Sequence, residues 1–358
     1  MARNGKNKNT RRIFIFLTLI FGLTTLILAF CCVLLFSYFS IRMSKVKTDD
    51  IVIETESVPS DRIYTQEDVD QLIVSIREEA TREEREAILE QMRDMMESGN
   101  GTVEMLRYFY PDQVVLLADN QYYFLDIRTD LKMNGYDPEL FEFDEAGDLH
   151  YHSPEGEESY LRGIDVSKYQ GKINWEKVKE SGKVDFAILR AGLRGYTEGA
   201  LLEDETFRAN LEGATNAGIP VGLYFFTQAT TNAEAVEEAN YCLELIGDAK
   251  VEMPIYVDVE EVSKDNARTS ILTSGERTDF AITFMDTIEK AGYKTGIYGN
   301  LKSFMLMLDI SRLEDYEKWF ADYDLPIYFP YDYTMLQYSE SGNVDGISEP
   351  VDMNIYFR

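Results

Sequence analysis

From Tyr160 to the end of the chain, short apolar runs alternate with helical stretches, and this alternation narrows the architecture more than any other feature. "LRGIDVS", "VDFAILRAG", "IPVGLYFFTQ", "MPIYVDVE" and "KTGIYGN" read as buried strands. Between them, residues 174–181, 204–217, 231–246 and 274–291 have the length and polarity of helices. Strands linked through helices pair in parallel, because a parallel neighbour is reached only by a crossover. Shorter strands follow near "KWFADY", "TMLQYS" and "VDMNIYF", enough to close a barrel of about eight strands. An open doubly wound sheet is the alternative, but no Gly-rich dinucleotide fingerprint follows the first strand.

The first 157 residues read differently. Residues 1–12, "MARNGKNKNTRR", form a basic tail with five Lys or Arg. Residues 13–41 contain no charge, a run longer than the roughly 20 residues a bilayer-spanning helix needs. A cleaved secretory signal would have a shorter apolar core and a small-residue cleavage site. In "ILAFC", Phe30 stands where a lipoprotein-type box would require a small residue. The expectation is a single-pass transmembrane helix over 13–41 in the cytoplasmic membrane, with a cytoplasmic N-terminus and the remainder outside.

Residues 42–101 are expected to form a linker and a helical stalk. Thr65 and Asp68 suit an N-cap, and Val69, Leu72, Ile73, Ile76 and Ala80 recur at helical spacing. "TREERE" (81–86) interrupts the stripe, which Ala87, Ile88, Met92, Met95 and Met96 resume before "SGNG". The 65–98 stalk also suits a protein partner, as one strand of a coiled coil. Residues 102–157 read as a small α+β or β module, with hairpins turning at Asp119-Asn120 and Ala146-Gly147. The acid-rich "SPEGEE" (153–158) marks the expected boundary, leaving 158–358 as the barrel domain.

Acidic residues number 64 against 35 basic ones, a net charge of −29 that repels phosphate backbones and excludes nucleic acid as a partner. Cys31 and Cys32 lie in the apolar run, so Cys242 has no disulfide partner in the remainder and reads as a small apolar residue. His150 and His152 lack a third ligand, and no metal or organic cofactor is expected.

The acids in the barrel region carry the chemistry. Asp165 comes late in the first strand, Asp258 and Glu260 end the fourth, and Asp352 lies on the last. In a parallel barrel the C-terminal strand ends share one rim, where such barrels hold their sites. Side chains at i and i+2 of a strand share a face, which aims Asp258 and Glu260 into one pocket. Carboxyls held close cannot all ionise, and a protonated acid beside an ionised one is what glycoside hydrolysis requires. The "DVE" triplet alone fits a solvated strand end or a Ca²⁺ site equally well. Aromatics expected near the same rim strengthen the sugar reading: Tyr169, Tyr224, Phe226, Tyr298, Trp319, Tyr323 and Tyr338. Gln170, Arg190, Gln337 and Asn354 are the candidate polar contacts for hydroxyl and amide groups.

"RGIDVSKYQGKINW", "FAILRAG", "GIPVGLYFF", "PIYVDVE", "GIYGN", "WFADY", "LQYSESGNVDGI" and "VDMNIYF" resemble, in order, the motifs of family-25 glycoside hydrolases, the Chalaropsis-type lysozymes or N-acetylmuramidases. The resemblance covers residues 161–358. It implies an α/β fold, a modified TIM-like barrel of five β/α units followed by three β-strands. It also implies that Glu260 is the general acid/base, Asp258 its partner, and Asp165 and Asp352 the other active-site acids. One departure is that Tyr224-Phe225-Phe226 stands where many members have Tyr-His-Phe. The implied reaction is cleavage of the β-1,4 bond after N-acetylmuramic acid in peptidoglycan glycan strands. Asp258 would either attack the anomeric carbon or orient the substrate's 2-acetamido group for attack, the second being the preferred expectation. Alternatives are an inactive wall-binding or assembly module of the same fold, and a glycosidase acting on another amino-sugar polymer.

Overall fold

In a computed structural model of the chain, residues 65–153, 160–264 and 266–357 are described. The expected transmembrane helix at 13–41, the basic tail and residues 42–64 of the linker lie outside them. Among the described residues no helix is long and apolar enough to cross a membrane. The chain divides into two compact units, Met1–Glu86 and Ala87–Arg358. In the first, the described residues open helix α1 (Gln66–Glu97), a single 32-residue helix that "TREERE" does not break and in which nothing is buried. Its start is capped reciprocally: Asp68 N donates to Thr65 Oγ1 at 3.2 Å, and Thr65 N donates to Asp68 Oδ2 at 2.8 Å.

In the second unit, helix α2 (Thr102–Phe109) precedes a hairpin of β1 (Gln113–Ala118) and β2 (Gln121–Asp126). Asp119 and Asn120 both have positive φ, 52° and 57°, as a two-residue hairpin turn demands. A second hairpin pairs β3 (Phe141–Phe143) with β4 (Leu149–Tyr151).

The barrel begins at β5 (Tyr160–Val166). Helix α3 (Trp175–Glu180) leads to β6 (Phe186–Arg194), and β7 (Leu201–Glu203) folds back on β6 as an antiparallel flap. Helix α4 (Phe207–Asn216) leads to β8 (Val221–Phe226), and α5 (Asn232–Ile246) to β9 (Ile255–Asp258). Helix α6 (Ser274–Lys290) then leads to β10 (Thr295–Asn300). The last three strands are β11 (Glu317–Ala321), β12 (Met335–Gly342) and β13 (Val351–Phe357). Neighbours around the ring run β5, β6, β8, β9, β10, β11, β12, β13, and β13 pairs back with β5, closing eight strands.

Two details differ from expectation. The crossover after β10 is not an α-helix but a π-helical turn (Ser303–Met307) and a 3₁₀ turn (Ile310–Arg312), so four β/α units, not five, carry α-helical crossovers. Strands β11 and β12 join in parallel register, and β13 alone of the eight ring strands runs antiparallel to both its neighbours.

Strand alternation sorts the side chains. Inward residues, among them Phe186, Ile188, Tyr256, Tyr298, Trp319 and Met335, form a separate cluster inside the ring. Gly163 is needed there, because a Cβ at that position would lie 2.2 Å from the Phe186 ring. Outward residues such as Ile164, Leu189, Phe225, Val257 and Phe320 join the apolar faces of the helices in the main core. Phe225, at the position of the motif departure, is fully buried there and stacks on Phe284 at 6.2 Å. The substitution therefore lies behind the barrel wall and not in its mouth.

The core does not stop at the boundary expected near residue 158. Leu131, Phe141, Leu149 and Tyr151 belong to the same cluster as the barrel's outer face. Tyr136 stacks on Phe357 with ring centroids 4.0 Å apart. At the other end of the segment, Tyr328 Oη accepts from Val115 N at 2.9 Å and donates to Gln113 O at 3.0 Å. Residues 102–153 thus share packing and hydrogen bonds with the barrel.

Candidate active site

The mouth of the barrel holds a pocket of about 140 Å³ lined by Asp165, Tyr224, Asp258, Glu260, Tyr298, Trp319, Tyr323, Gln337 and Asp352. Each lies on a ring strand or just beyond its end. Asp258 is the last residue of β9, and Glu260 follows two residues later, outside the strand but in the same pocket. Asp352 sits near the start of β13 and not at its end. Because β13 runs antiparallel, that start lies at the shared rim, with Asp352 in register opposite Asp165.

A hydrogen-bond network fixes the floor. Trp319 Nε1, which can only donate, donates to Asn354 Oδ1 at 2.8 Å. That turns the Asn354 amide so that its Nδ2 donates to Asp165 Oδ2 at 2.8 Å. Gln337 is oriented in the same way: its Oε1 accepts from Tyr298 Oη at 2.9 Å and Tyr323 Oη at 2.7 Å, and its Nε2 donates to Asp165 Oδ2 at 2.8 Å. Two amide donors on one oxygen favour the ionised form of Asp165.

Burial opposes them. Asp165 and Asp258 are each only 4 % exposed, whereas Glu260 and Asp352 are half-buried at the opening. Desolvation pushes Asp165 up to about 6, against the pull of Asn354, Gln337 and a hydrogen bond from Asp352. Asp352 is pushed up to about 9, by burial first, then by the Asp165 charge and by Glu340. At neutral pH Asp352 therefore keeps its proton and donates it to Asp165. Asp258 is raised well above the ordinary carboxyl range by burial, then by Glu260 and Asp165, with the Arg190 charge pulling the other way. Its Oδ1 is buried and has no hydrogen-bond partner among the described residues. Glu260 is raised by burial and then by Asp165. The result is a Glu260 at the opening whose burial and neighbouring Asp165 favour its protonated form, beside a deep Asp165 held by two amide donors.

Not every candidate arrives here. Gln170 is spent on the fold: its Oε1 accepts from Ser167 N at 2.9 Å and its Nε2 donates to Pro350 O at 3.1 Å. Tyr338 follows the inward-facing Gln337, so strand alternation turns it outward into the main core beside Phe143. Phe226 pairs in register with Asp258 yet does not line the pocket. Arg190 is held by Asp204 at 2.7 Å and lies 5.2 Å from the ring centre of Tyr169, which is 70 % exposed; neither lines the pocket. Asn354 sits beneath it and acts through Asp165. His150 and His152 face Asp144 and Glu142, and no group of metal-ligating side chains occurs among the described residues.

A larger cleft of about 490 Å³ shares Glu260, Tyr298 and Tyr323 with the pocket. Its other lining includes Glu104, Arg107 and Leu117 from the N-terminal module, together with Lys302, Asp322 and Asp324. Sequence reasoning missed this wall. The module bears no motif, and its nearness to Glu260 arises only from packing.

The chain is similar to known proteins over the same region. It is 28 % identical over 199 residues to an autolytic lysozyme of Clostridium acetobutylicum, covering 54 % of this chain and 55 % of that one. It is 31 % identical over 211 residues to lysozyme M1 of Streptomyces globisporus, covering 55 % of this chain and 67 % of that protein. The match thus spans little more than half the length of the first relative. Among solved structures, the modular autolysin LytC of Streptococcus pneumoniae shares the fold, with a TM-score of 0.52 at 24 % identity over 69 % of this chain and 57 % of LytC. LytC has also been solved in complex with a synthetic peptidoglycan ligand, with a TM-score of 0.51 at 25 % identity over the same shares of the two chains. The sequence profile of Glycosyl hydrolases family 25 matches residues 164–347, just over half of the chain, and with the acids of its barrel mouth assembled as described, the protein belongs to that family.

Proposed function

We propose that this protein is a peptidoglycan muramidase that cleaves the β-1,4 bond between N-acetylmuramic acid and N-acetylglucosamine. The observation that carries the reading is the half-buried Glu260 in one pocket with Asp258, where burial and the Asp165 charge favour its protonated form, over an Asp165 fixed by two amide donors. The lysozyme relatives and the peptidoglycan ligand bound by LytC support the choice of substrate. Glu260 donates its proton to the departing glycosidic oxygen, and its ionised form then activates the incoming water. Asp258 orients the substrate's 2-acetamido group, whose carbonyl oxygen attacks the anomeric carbon. The unpartnered Asp258 Oδ1 is a ready acceptor for the acetamido N–H. Asp165 and Asp352 share a proton below the sugar, while Tyr224, Tyr298, Trp319 and Tyr323 supply aromatic surface and hydroxyl groups.

The uncharged run at residues 13–41 supports a single-pass anchor in the cytoplasmic membrane, with the enzyme facing the cell wall and remodelling it within reach of the tether. Exposed Leu72, Ile73, Ile76, Leu89 and Met96 on α1 offer an apolar stripe to a partner helix. The decisive experiment is turbidity clearing of purified walls by the wild type and by Glu260→Gln. The wild type solubilises the walls, and the amide variant loses at least about 10²-fold in rate, because it cannot deliver a proton. A wild-type protein that only co-sediments with walls is a binder, and the enzymatic reading falls.

A further inference from the structure

A polysaccharide cut within its length extends beyond the scissile bond on both sides. The pocket of about 140 Å³ is too small for two linked, substituted amino sugars, so the strand continues into adjoining space. The cleft of about 490 Å³ adjoins it directly, through Glu260, Tyr298 and Tyr323. One wall of this cleft comes from Val103–Leu117, outside the region 164–347 that matches the family profile. The geometry points to this segment as half of a second substrate subsite, one that takes an amine-bearing portion of the glycan strand; the inference rests on the muramidase reading.

The wall is anchored at both edges. The Arg107 guanidinium lies 3.6 Å from the Tyr328 ring centre, and its Nε donates to Val115 O at 3.1 Å. Asp322 Oδ2 accepts from Tyr328 N at 2.9 Å, which ties this stack to the strand end beside the pocket. Across the cleft, Lys302 Nζ donates to Asp119 at 2.9 Å and to Glu261 at 2.6 Å, joining the hairpin turn to the segment that follows Glu260. Those bonds leave an uneven charge. Lys302 is matched by two carboxylates, while the carboxylates of Glu104 and Asp324 make no hydrogen bond or ion pair among the described residues. Arg107 alone faces Glu104, Asp322 and Asp324. A ligand group entering here is better received as an ammonium than as a carboxylate. Two groups of a wall strand qualify: the free side-chain amine of an uncrosslinked peptide stem, or the amine of a de-N-acetylated sugar.

The test compares KM for the purified full-length protein on two pairs of soluble oligomers. The first pair carries peptide stems with the side-chain amine free or acetylated; the second lacks stems and has its sugars partly de-N-acetylated or fully acetylated. KM is expected to be about 2- to 5-fold lower for the free amine in at least one pair, with kcat little changed, as for a partly exposed ion pair. The preference should shrink in Glu104→Gln/Asp324→Asn and at high salt, and the pair that shows it identifies the source of the amine. Leu117→Lys, at a position 49 % exposed and therefore tolerant, should raise KM for the free-amine oligomers and shrink the preference in the same way. Equal KM values within both pairs overturn the inference, as does a double variant that keeps the full preference. Failure of the wild type to cleave any oligomer overturns the muramidase reading, and the inference with it.

Discussion

Trp319 and Asp165 share no hydrogen bond, yet the indole N–H of one orients the amide, Asn354, that donates to the carboxylate of the other. Asn354→Leu removes a donor from a buried carboxylate and strands the indole N–H at the same time. Losing a bond that favours the ionised form raises the Asp165 pKa further above about 6. The acidic limb of the activity profile should move to higher pH, and stability should fall by about 1–3 kcal/mol. A pH–rate profile and a denaturant melt measure both.

Asp258 distinguishes two chemistries. If it orients the acetamido group, Asp258→Asn is severely impaired, no sugar is ever covalently attached to the wild type, and a thiazoline analogue of the cyclised intermediate inhibits. If it is a nucleophile, a sugar is trapped on Asp258 and is detected by mass spectrometry of the quenched enzyme. Trapping would falsify the substrate-assisted route while leaving the Glu260 assignment intact.

Stability should depend on pH in the direction opposite to that of a salt-bridged acid. Asp165 and Asp352 have folded-state values near 6 and 9, above the ordinary carboxyl value of 3.8. A raised carboxyl binds its proton more tightly in the folded state. Its stabilisation is complete below the unfolded value and is lost as pH rises through the folded one, at about 1.4 kcal/mol per unit. The melting temperature should therefore drop between about pH 4 and pH 9. Asp352→Asn should flatten the upper part of that decline, because an amide can donate to Asp165 at every pH.

Cutting the chain at residue 158 should be costly. The cut removes Tyr136 from Phe357, Tyr328 from its bonds to Val115 and Gln113, and the side chains of Leu131, Phe141 and Leu149 from the main core. A fragment beginning at about residue 98 should melt as one cooperative unit. A fragment beginning at 158 should melt lower or aggregate, because several hundred Å² of apolar surface would face water. Equal melting temperatures for the two would show the module to be dispensable for folding.

The sequence by itself determined which segments become strands and helices around the barrel, because continuous apolar runs and helix caps are local. The strand motifs other than "TMLQYS", and the helix at 231–246, fall within a residue or two of their structural counterparts. It also determined that Asp165, Asp258, Glu260 and Asp352 belong together, once a parallel barrel is granted. The tertiary structure decided what local pattern cannot carry. The direction of β13 puts Asp352 at the rim from the start of its strand. Alternation about Gln337 sends Tyr338 outward, and a capping role consumes Gln170. The wall formed by Glu104, Arg107 and Leu117 beside Glu260 joins residues more than 140 positions apart. Such contacts are set by how whole elements pack, and packing depends on shape and volume at a distance that no window of sequence contains.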